Sequence, residues 1–205
     1  MGNDNHTTLD FVFDNIKAIS QELEDMESDV DHWLKELAVP FLKRVGIEPN
    51  QWVLDFGCGP GFYAIPAAHI VGRRGRVFAL DKSVKVLQEL EDRAKKEEEL
   101  SNIEILQTSG ELVIPLDDDL LDVCLLYDVI HSHYFTYQGR ITILQEIQRV
   151  LKPGGLLSFY PSHMNFDKSK KLLESLGFEC IRTLQATLLH YYNLKEDRVL
   201  NFLSS

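Results

Sequence analysis

The sequence has few cysteines and no long apolar run, and each absence excludes a class of protein. Its three cysteines are odd in number and scattered, without a C-x-x-C pair: Cys58, Cys124 and Cys180. That usage is typical of reduced thiols in a cytoplasm. No stretch approaches the apolar length that crosses a bilayer, and the N-terminus lacks the basic start and apolar segment of a signal peptide. We therefore expect a cytoplasmic protein with no membrane association, and no metal site is predicted.

Basic charge is also scarce. The 205 residues include 21 Lys and Arg against 32 Asp and Glu, a formal net charge of −11. Proteins that bind nucleic acid usually carry basic patches that displace counterions from phosphates. Here the one concentrated basic spot, Arg73-Arg74-Gly75-Arg76, lies in a predicted turn. Nucleic acid is therefore disfavoured as a partner, and the length and apolar content of 44% suit one α/β domain with a short appendage.

What the sequence does contain is a glycine-rich run after a short apolar segment. Residues 53–62 read Val-Leu-Asp-Phe-Gly-Cys-Gly-Pro-Gly-Phe, with glycines at alternate positions and a helix-like stretch beyond them. This pattern predicts a buried strand that turns sharply into a helix. Glycines let a ligand approach the backbone closely, and the carboxyl end of a strand is the usual ligand site of an open α/β sheet. A tight turn without a ligand is the alternative.

The spacing of the glycines separates the candidate ligands. In the dinucleotide fingerprint G-x-G-x-x-G, a third glycine would stand where Phe62 is, and no Walker A lysine follows the run. The pattern Asp-x-Gly-x-Gly-x-Gly, which begins at Asp55, instead resembles motif I of the class I S-adenosylmethionine-dependent methyltransferases.

Later segments resemble the same family in the same order, over about residues 45–205. Residues 121–131 resemble its fourth-strand motif, 149–157 the turn before its fifth strand, and 174–178 the turn into its sixth. The likeness is nearest to the ubiquinone/menaquinone-biosynthesis type, whose members act mostly on small molecules. It implies S-adenosyl-L-methionine as cofactor.

Apolar runs and helical patterns alternate along the chain, which predicts a parallel sheet with helices on both faces. The predicted strands lie at about 51–56, 76–81, 103–107, 121–127 and 155–160, with helices at 62–71, 83–99 and 137–151. Two further strand-like runs, at 178–184 and 199–203, have no long helix between them. The class I fold ends in such an antiparallel hairpin. We therefore expect a Rossmann-like α/β fold with a seven-stranded, mostly parallel sheet.

The N-terminal segment is predicted to be additional to this sheet. Apolar residues from Leu9 to Leu37 recur at three-to-four spacing, which indicates an amphipathic helix or helix pair with an acidic opposite face. We assign residues 1–45 to a helical lid or interaction segment and 46–205 to the methyltransferase domain. The acidic face is either simply solvated or a surface for a partner, and a homodimer is one option.

The cofactor-binding residues are expected at the ends of successive strands. Asp81 ends the second apolar run, about 20 residues past the glycines, where such an acid accepts hydrogen bonds from the ribose hydroxyls; it could also cap the next helix. Thr108-Ser109-Gly110-Glu111 replaces the family's Gly-Asp-Ala stretch, so the adenine contact that the resemblance implies is expected from Glu111 or a backbone carbonyl. The expected set is Asp55, Gly57, Cys58, Gly59, Gly61, Phe62, Tyr63, Asp81, Lys82, Gly110, Glu111 and Tyr127.

Residues facing a substrate are expected after strands four and five. The candidates are Asp128, His131, His133, Tyr134 and Tyr160, with His163 and residues 190–192 nearby. His131 is a candidate general base, because imidazole titrates near neutral pH. The alternative is a hydrogen-bonded histidine that only lines the cleft.

The sequence thus favours an S-adenosylmethionine-dependent methyltransferase with a small-molecule acceptor. A non-catalytic S-adenosylmethionine-binding module that regulates a partner through the acidic helices is the main rival. A protein methyltransferase is a third option. The segment after the fifth strand, residues 162–171, is short, which does not support a polyprenyl quinone as acceptor.

Overall fold

The computed structural model describes the backbone of residues 5–96 and 100–205, and the side chains of 15–26, 28–96 and 100–205. The predicted helix end at 97–99 lies outside the described residues, as do the side chains of Leu9 and Phe13.

A seven-stranded sheet forms the centre of the protein. Its strands are β1 (Trp52–Phe56), β2 (Arg76–Asp81), β3 (Ile103–Gln107), β4 (Leu121–Tyr127), β5 (Leu151–Tyr160), β6 (Glu179–His190) and β7 (Asn193–Leu203). Their order is β3-β2-β1-β4-β5-β7-β6, and β7 runs in the direction opposite to the other six. The predicted fold class, with its antiparallel C-terminal hairpin, is confirmed.

The fifth strand starts earlier than predicted. It pairs with β4 first at Leu151, immediately after the preceding helix, and then skips to Leu156 opposite Val123. The Pro153-Gly154-Gly155 segment, expected to be a turn before the strand, is therefore a bulge within it. Gly154 has a φ of +75°, a conformation that favours glycine.

Helices cover both faces of the sheet. They are α1 (Asn5–His32), a π-helical turn (Trp33–Leu37), α2 (Ala38–Val45), α3 (Ala64–Val71), α4 (Val84–Lys96), α5 (Tyr137–Val150) and α6 (Phe166–Ser175). Buried side chains of α2, α3 and α4 share one apolar cluster, and those of α5 and α6 share the other. Thr136 and Asn165 cap α5 and α6, each accepting a hydrogen bond from a backbone N–H of the first turn.

The N-terminal helices join the body at the π-helical turn. Pro40 has no N–H and its ring crowds the carbonyl four residues earlier, which accounts for the irregular turn before it. Trp33 lies within this turn, is fully buried, and donates a hydrogen bond of 2.8 Å from its indole N–H to the carbonyl of Phe62. Phe41 of α2 is buried against the Trp33 ring, with 5.8 Å between ring centroids.

Farther from this junction, α1 has an exposed apolar stripe. Ile16, Ile19 and Leu23 are 53–59% exposed at helical spacing. The division of the chain at residue 45 stays a prediction. Among the described residues, no helix is long and apolar enough to cross a membrane.

Candidate cofactor and substrate site

A cavity of about 520 Å³ opens where the strand order reverses, between β1 and β4. Open α/β sheets bind ligands at this point, outside the carboxyl ends of the strands. Most of the predicted site residues line it: Asp55, Gly57, Cys58, Gly59, Phe62, Tyr63, Asp81, Lys82, Gly110, Glu111, Tyr127, Asp128, Tyr134 and Tyr160.

The glycine loop forms the floor of the cavity. The backbone N–H groups of Gly57 and Cys58 both donate to the carbonyl of Leu80, at 2.7 and 3.0 Å, which ties the loop to β2. Gly59 has a φ of +51°, and a Cβ added there would meet no atom within 4 Å, so this face of the loop is open to a ligand. The loop thus offers bare backbone to whatever occupies the cavity.

Gly61 has a different role from Gly59. It does not line the cavity; its φ is +87°, and an added Cβ would lie 2.8 Å from Cγ of Leu90 on α4. This glycine lets the loop pack closely against the helix. The prediction that Gly61 contacts the cofactor therefore has no support from the set of residues that line the cavity.

Asp55 lies in β1, just before the glycine loop, and its carboxyl group is buried. It is 3% exposed, and its Oδ2 has no hydrogen-bond partner among the described residues. Burial, and secondly the charge of Asp81, raise its pKa to about 7, while a hydrogen bond with the backbone of Ala64 acts in the opposite direction. A cationic ligand group in the cavity would compensate this carboxylate.

Asp81 stands at the end of β2 and already organises the backbone around it. Its Oδ2 accepts a hydrogen bond of 3.1 Å from the N–H of Gly59, and its Oδ1 accepts one of 2.8 Å from Ser83. Each carboxylate oxygen can accept more than one hydrogen bond. The residue therefore retains acceptor capacity toward the cavity while it holds the glycine loop against the start of α4.

The segment after β3 is held together by hydrogen bonds among its own residues. Glu111 accepts hydrogen bonds from the hydroxyl and the N–H of Ser109 and from the hydroxyl of Thr108. These bonds, with that from the Ser109 hydroxyl the largest cause, lower the pKa of Glu111 to about 2. Glu111 lines the cavity as a carboxylate, and its contact with an adenine stays a prediction.

Aromatic side chains form part of the cavity wall. Tyr63 and Tyr127 lie edge to face with 4.8 Å between ring centroids, and Tyr160 follows at 6.4 Å from Tyr127. Their hydroxyls are engaged with Leu189, Ser158 and Asp197, in that order. Burial raises the pKa of all three tyrosines and of the Cys58 thiol, so these groups stay protonated at neutral pH and serve as wall rather than as bases.

The tip of the β6–β7 hairpin reaches the cavity mouth. Tyr191 and Tyr192 have φ values of +47° and +67°, an arrangement that usually calls for Asn or Gly. Bulky residues in this region are strained, by about 1–2 kcal/mol each. The turn places Tyr192 edge to face with Phe62, with 5.3 Å between ring centroids.

Two of the predicted substrate-facing residues, His131 and His133, are not part of the cavity lining. His131 is 3% exposed, and its Nδ1 is 3.2 Å from Nδ1 of His133. Burial is the largest cause that lowers the pKa of His131; the charge of Asp128 opposes it, and the nearby histidines add smaller lowering effects. The ring of His131 packs on Tyr134, with 4.6 Å between centroids.

Several lining residues are absent from the predicted set. They are mostly apolar and include Val86, Val129, Phe135 and Leu189. Leu189 could have been expected from topology, because β6 runs parallel to β5 and therefore ends at the same edge of the sheet. The apolar residues carry no sequence signal that separates them from core positions.

Comparison with known proteins agrees with this geometry. The profile of the methyltransferase domain family matches residues 53–155, from β1 through the start of β5. The chain belongs to this methyltransferase domain family. A curated relative, the 2-phytyl-1,4-naphtoquinone methyltransferase of Synechococcus elongatus, is 33% identical over 155 residues, covering 74% of this chain and 62% of the relative. The demethylmenaquinone methyltransferase of a Geobacillus species is 32% identical over 114 residues, covering 56% and 46%.

Solved structures share the fold of this methyltransferase domain. An S-adenosylmethionine-dependent methyltransferase from Aquifex aeolicus aligns over 85% of this chain and 92% of its own, with a TM-score of 0.70 and 23% identity. One from Methanosarcina mazei aligns over 80% and 97%, with a TM-score of 0.65 and 17% identity. The chain spans about three-fifths of the length of the first curated relatives it matches.

Proposed function

We propose that this chain is an S-adenosylmethionine-dependent methyltransferase with a small-molecule acceptor. The observation that carries the proposal is the cavity over the open face of Gly59, flanked by the unpartnered carboxylate oxygen of Asp55 and by Asp81. Family membership supports the same conclusion.

The residues present fit this cofactor. Asp55 Oδ2 offers a buried negative oxygen for its ammonium group, Asp81 offers acceptor capacity for the ribose hydroxyls, and Gly59 offers bare backbone. S-adenosylmethionine supplies a methyl group already activated by a sulfonium, so transfer is an in-line displacement that depends mainly on placement. The hydrogen-bonded glycine loop and the wall of protonated tyrosines would provide that placement.

Small acceptors suit the other side of the site. The relatives carry names of quinone methyltransferases. In this chain, the segment between β5 and β6 contains the ten-residue helix α6 as its main element, and the mouth is narrowed by Tyr191 and Tyr192. We infer an acceptor without a long polyprenyl tail.

The net charge of −11 argues against nucleic acid as a partner, and the free cysteines support a cytoplasmic location.

Calorimetric titration of the full chain with S-adenosylhomocysteine tests the cofactor site. We expect one binding site and a loss of affinity of at least about tenfold in Asp81→Ala, because charge-assisted hydrogen bonds to the ribose are lost. Asp92→Ala is the matched control, since Asp92 is exposed on α4. Equal affinity in the two variants would contradict the ribose assignment.

Activity is tested separately. The chain is incubated with methyl-labelled S-adenosylmethionine and a small-molecule metabolite extract, and label is sought in a new product. Labelled product is the expected result. Tight cofactor binding without any labelled small molecule would favour the binding-module alternative.

A further inference from the structure

Three side chains from distant parts of the sequence bring ligand atoms together beside the cavity. Asp128 Oδ2 is 2.9 Å from Nε2 of His190 and 3.6 Å from Nε2 of His163, and the two imidazole nitrogens are 3.2 Å apart. Each residue stands at or just beyond the carboxyl end of a strand: Asp128 after β4, His163 after β5 and His190 at the end of β6. Parallel β4, β5 and β6 end at one edge of the sheet, which is why the three meet.

The separations of the three atoms match those of ligands around one metal ion. Ligands held about 2.0–2.2 Å from a tetrahedral centre stand about 3.3–3.6 Å from one another, close to the observed separations, and an ion at such a bond distance from each atom would lie just outside their plane. Two imidazole nitrogens and one carboxylate oxygen are a donor set that zinc and related divalent ions prefer.

Without an ion, this arrangement leaves polar groups poorly satisfied. The second carboxylate oxygen, Asp128 Oδ1, is buried and has no hydrogen-bond partner among the described residues. The two facing nitrogens of His163 and His190 share a short contact that needs a proton on at least one of them. An ion would accept the lone pairs of both nitrogens and compensate the buried carboxylate at once.

We propose that Asp128, His163 and His190 form a binding site for a divalent transition-metal ion of the zinc class, with an open coordination position toward the cavity. Asp128 and His190 line the cavity, whereas His163 approaches from outside it with 39% of its side chain exposed, which gives an ion access. Three protein ligands leave a fourth tetrahedral position for a solvent or substrate atom.

The position of the site assigns it a role in handling the acceptor, and this role rests on the proposed function. An acceptor thiol or hydroxyl in the open position would lose its proton to water and be held as an anion, because a bound cation lowers its pKa. The lone pair of that sulfur or oxygen then forms the new bond to the methyl carbon. The bond from that carbon to the sulfonium sulfur breaks, and its electron pair stays on the sulfur.

Metal binding is tested on the untagged full chain after treatment with a chelator. Titration with Zn²⁺ in a calorimeter should show one site. In His163→Ala the affinity for Zn²⁺ should fall at least about 100-fold, because loss of a metal ligand costs no less than loss of a residue that only hydrogen-bonds to a ligand. His133→Ala is the matched control: His133 contacts His131 but none of the three ligand atoms, so its affinity for Zn²⁺ should stay close to that of the original chain.

A second measurement shows whether His163→Ala still folds and still has an intact methyl-donor site. S-adenosylhomocysteine affinity should be unchanged in His163→Ala, because His163 is outside the cavity lining. Absence of Zn²⁺ binding, or equal binding in His163→Ala, would overturn the metal site while the donor site stands. If the original chain does not bind S-adenosylhomocysteine, that result would instead contradict the proposed function.

The open position has its own test with Co²⁺ as the probe. Co²⁺ bound at the site should give the visible absorption of a tetrahedral ion, and 2-mercaptoethanol should add a thiolate-to-metal charge-transfer band. A spectrum unaffected by the thiol would show a closed coordination sphere and contradict the acceptor role.

Discussion

Replacement of Asp55 by asparagine should stabilise the protein while it impairs cofactor binding. In the structure, Asp55 is 3% exposed, has one oxygen without a partner, and has a pKa raised to about 7 by burial and by Asp81. Asparagine has the same shape and could keep the Ala64 backbone interaction through its oxygen, with the amide group replacing the unpartnered oxygen. The variant therefore removes the buried charge and little else.

The magnitude follows from the shift in pKa. The ordinary pKa of Asp is 3.8, so between about pH 4 and pH 7 the folded chain retains a proton that the unfolded chain has released. Stability contributed by this group therefore falls as pH rises across that window and is constant above it. At about 1.4 kcal/mol per pH unit, the full effect is up to about 4 kcal/mol at pH 8.

The assay is chemical denaturation of both proteins without cofactor, at intervals from pH 5 to pH 8. The difference between the two cancels the contributions of other titrating groups. We expect Asp55→Asn to gain stability over the original chain progressively toward pH 7 and to hold that gain at pH 8, while its affinity for S-adenosylhomocysteine falls at least about tenfold. A stability difference that does not vary with pH would refute the raised pKa of Asp55.

Three further substitutions test the glycine loop and its support. Gly61→Ala should lower the free energy of unfolding by about 2–4 kcal/mol, because its Cβ meets Leu90 in a left-handed backbone, as chemical denaturation would show. Gly59→Ala should cost only about 1 kcal/mol but block S-adenosylhomocysteine in calorimetry, since its Cβ enters the open face of the loop. Equal stability losses in the two would contradict these separate roles. Trp33→Phe should cost about 1–3 kcal/mol in the same denaturation assay, because the carbonyl of Phe62 loses its donor; an unchanged midpoint would show that this bond is dispensable.

The glycine loop and the acids around it could be predicted because their signal is local. The buried strand, the acid at its end and the glycines at alternate positions are consecutive, and a strand–turn–helix unit needs those residue types at those places. The same holds for Asp81 at the end of the next strand. The strand positions followed from short apolar runs, and most observed bounds lie within one residue of the prediction.

The separate roles of neighbouring residues could not be predicted. Gly59 and Gly61 look equivalent in the sequence, but one faces the cavity and the other faces Leu90. His131 looked like a candidate base, but it is buried and not part of the cavity lining, and the pKa shift that follows depends on packing. The start of β5 was predicted too late, because a Pro-Gly-Gly sequence is compatible with both a β-bulge and a turn.

The sequence by itself determined the fold class and the floor of the cofactor site, since both depend on residues that are neighbours along the chain. Only the tertiary structure decided what stands around that floor: the aromatic wall, the strained hairpin tip, and the meeting of Asp128, His163 and His190. These groups come from segments far apart in the chain. They lie together because the carboxyl ends of parallel strands lie at one edge of the sheet. Distance and direction between such side chains are set by sheet order and packing, which no local pattern of residues encodes.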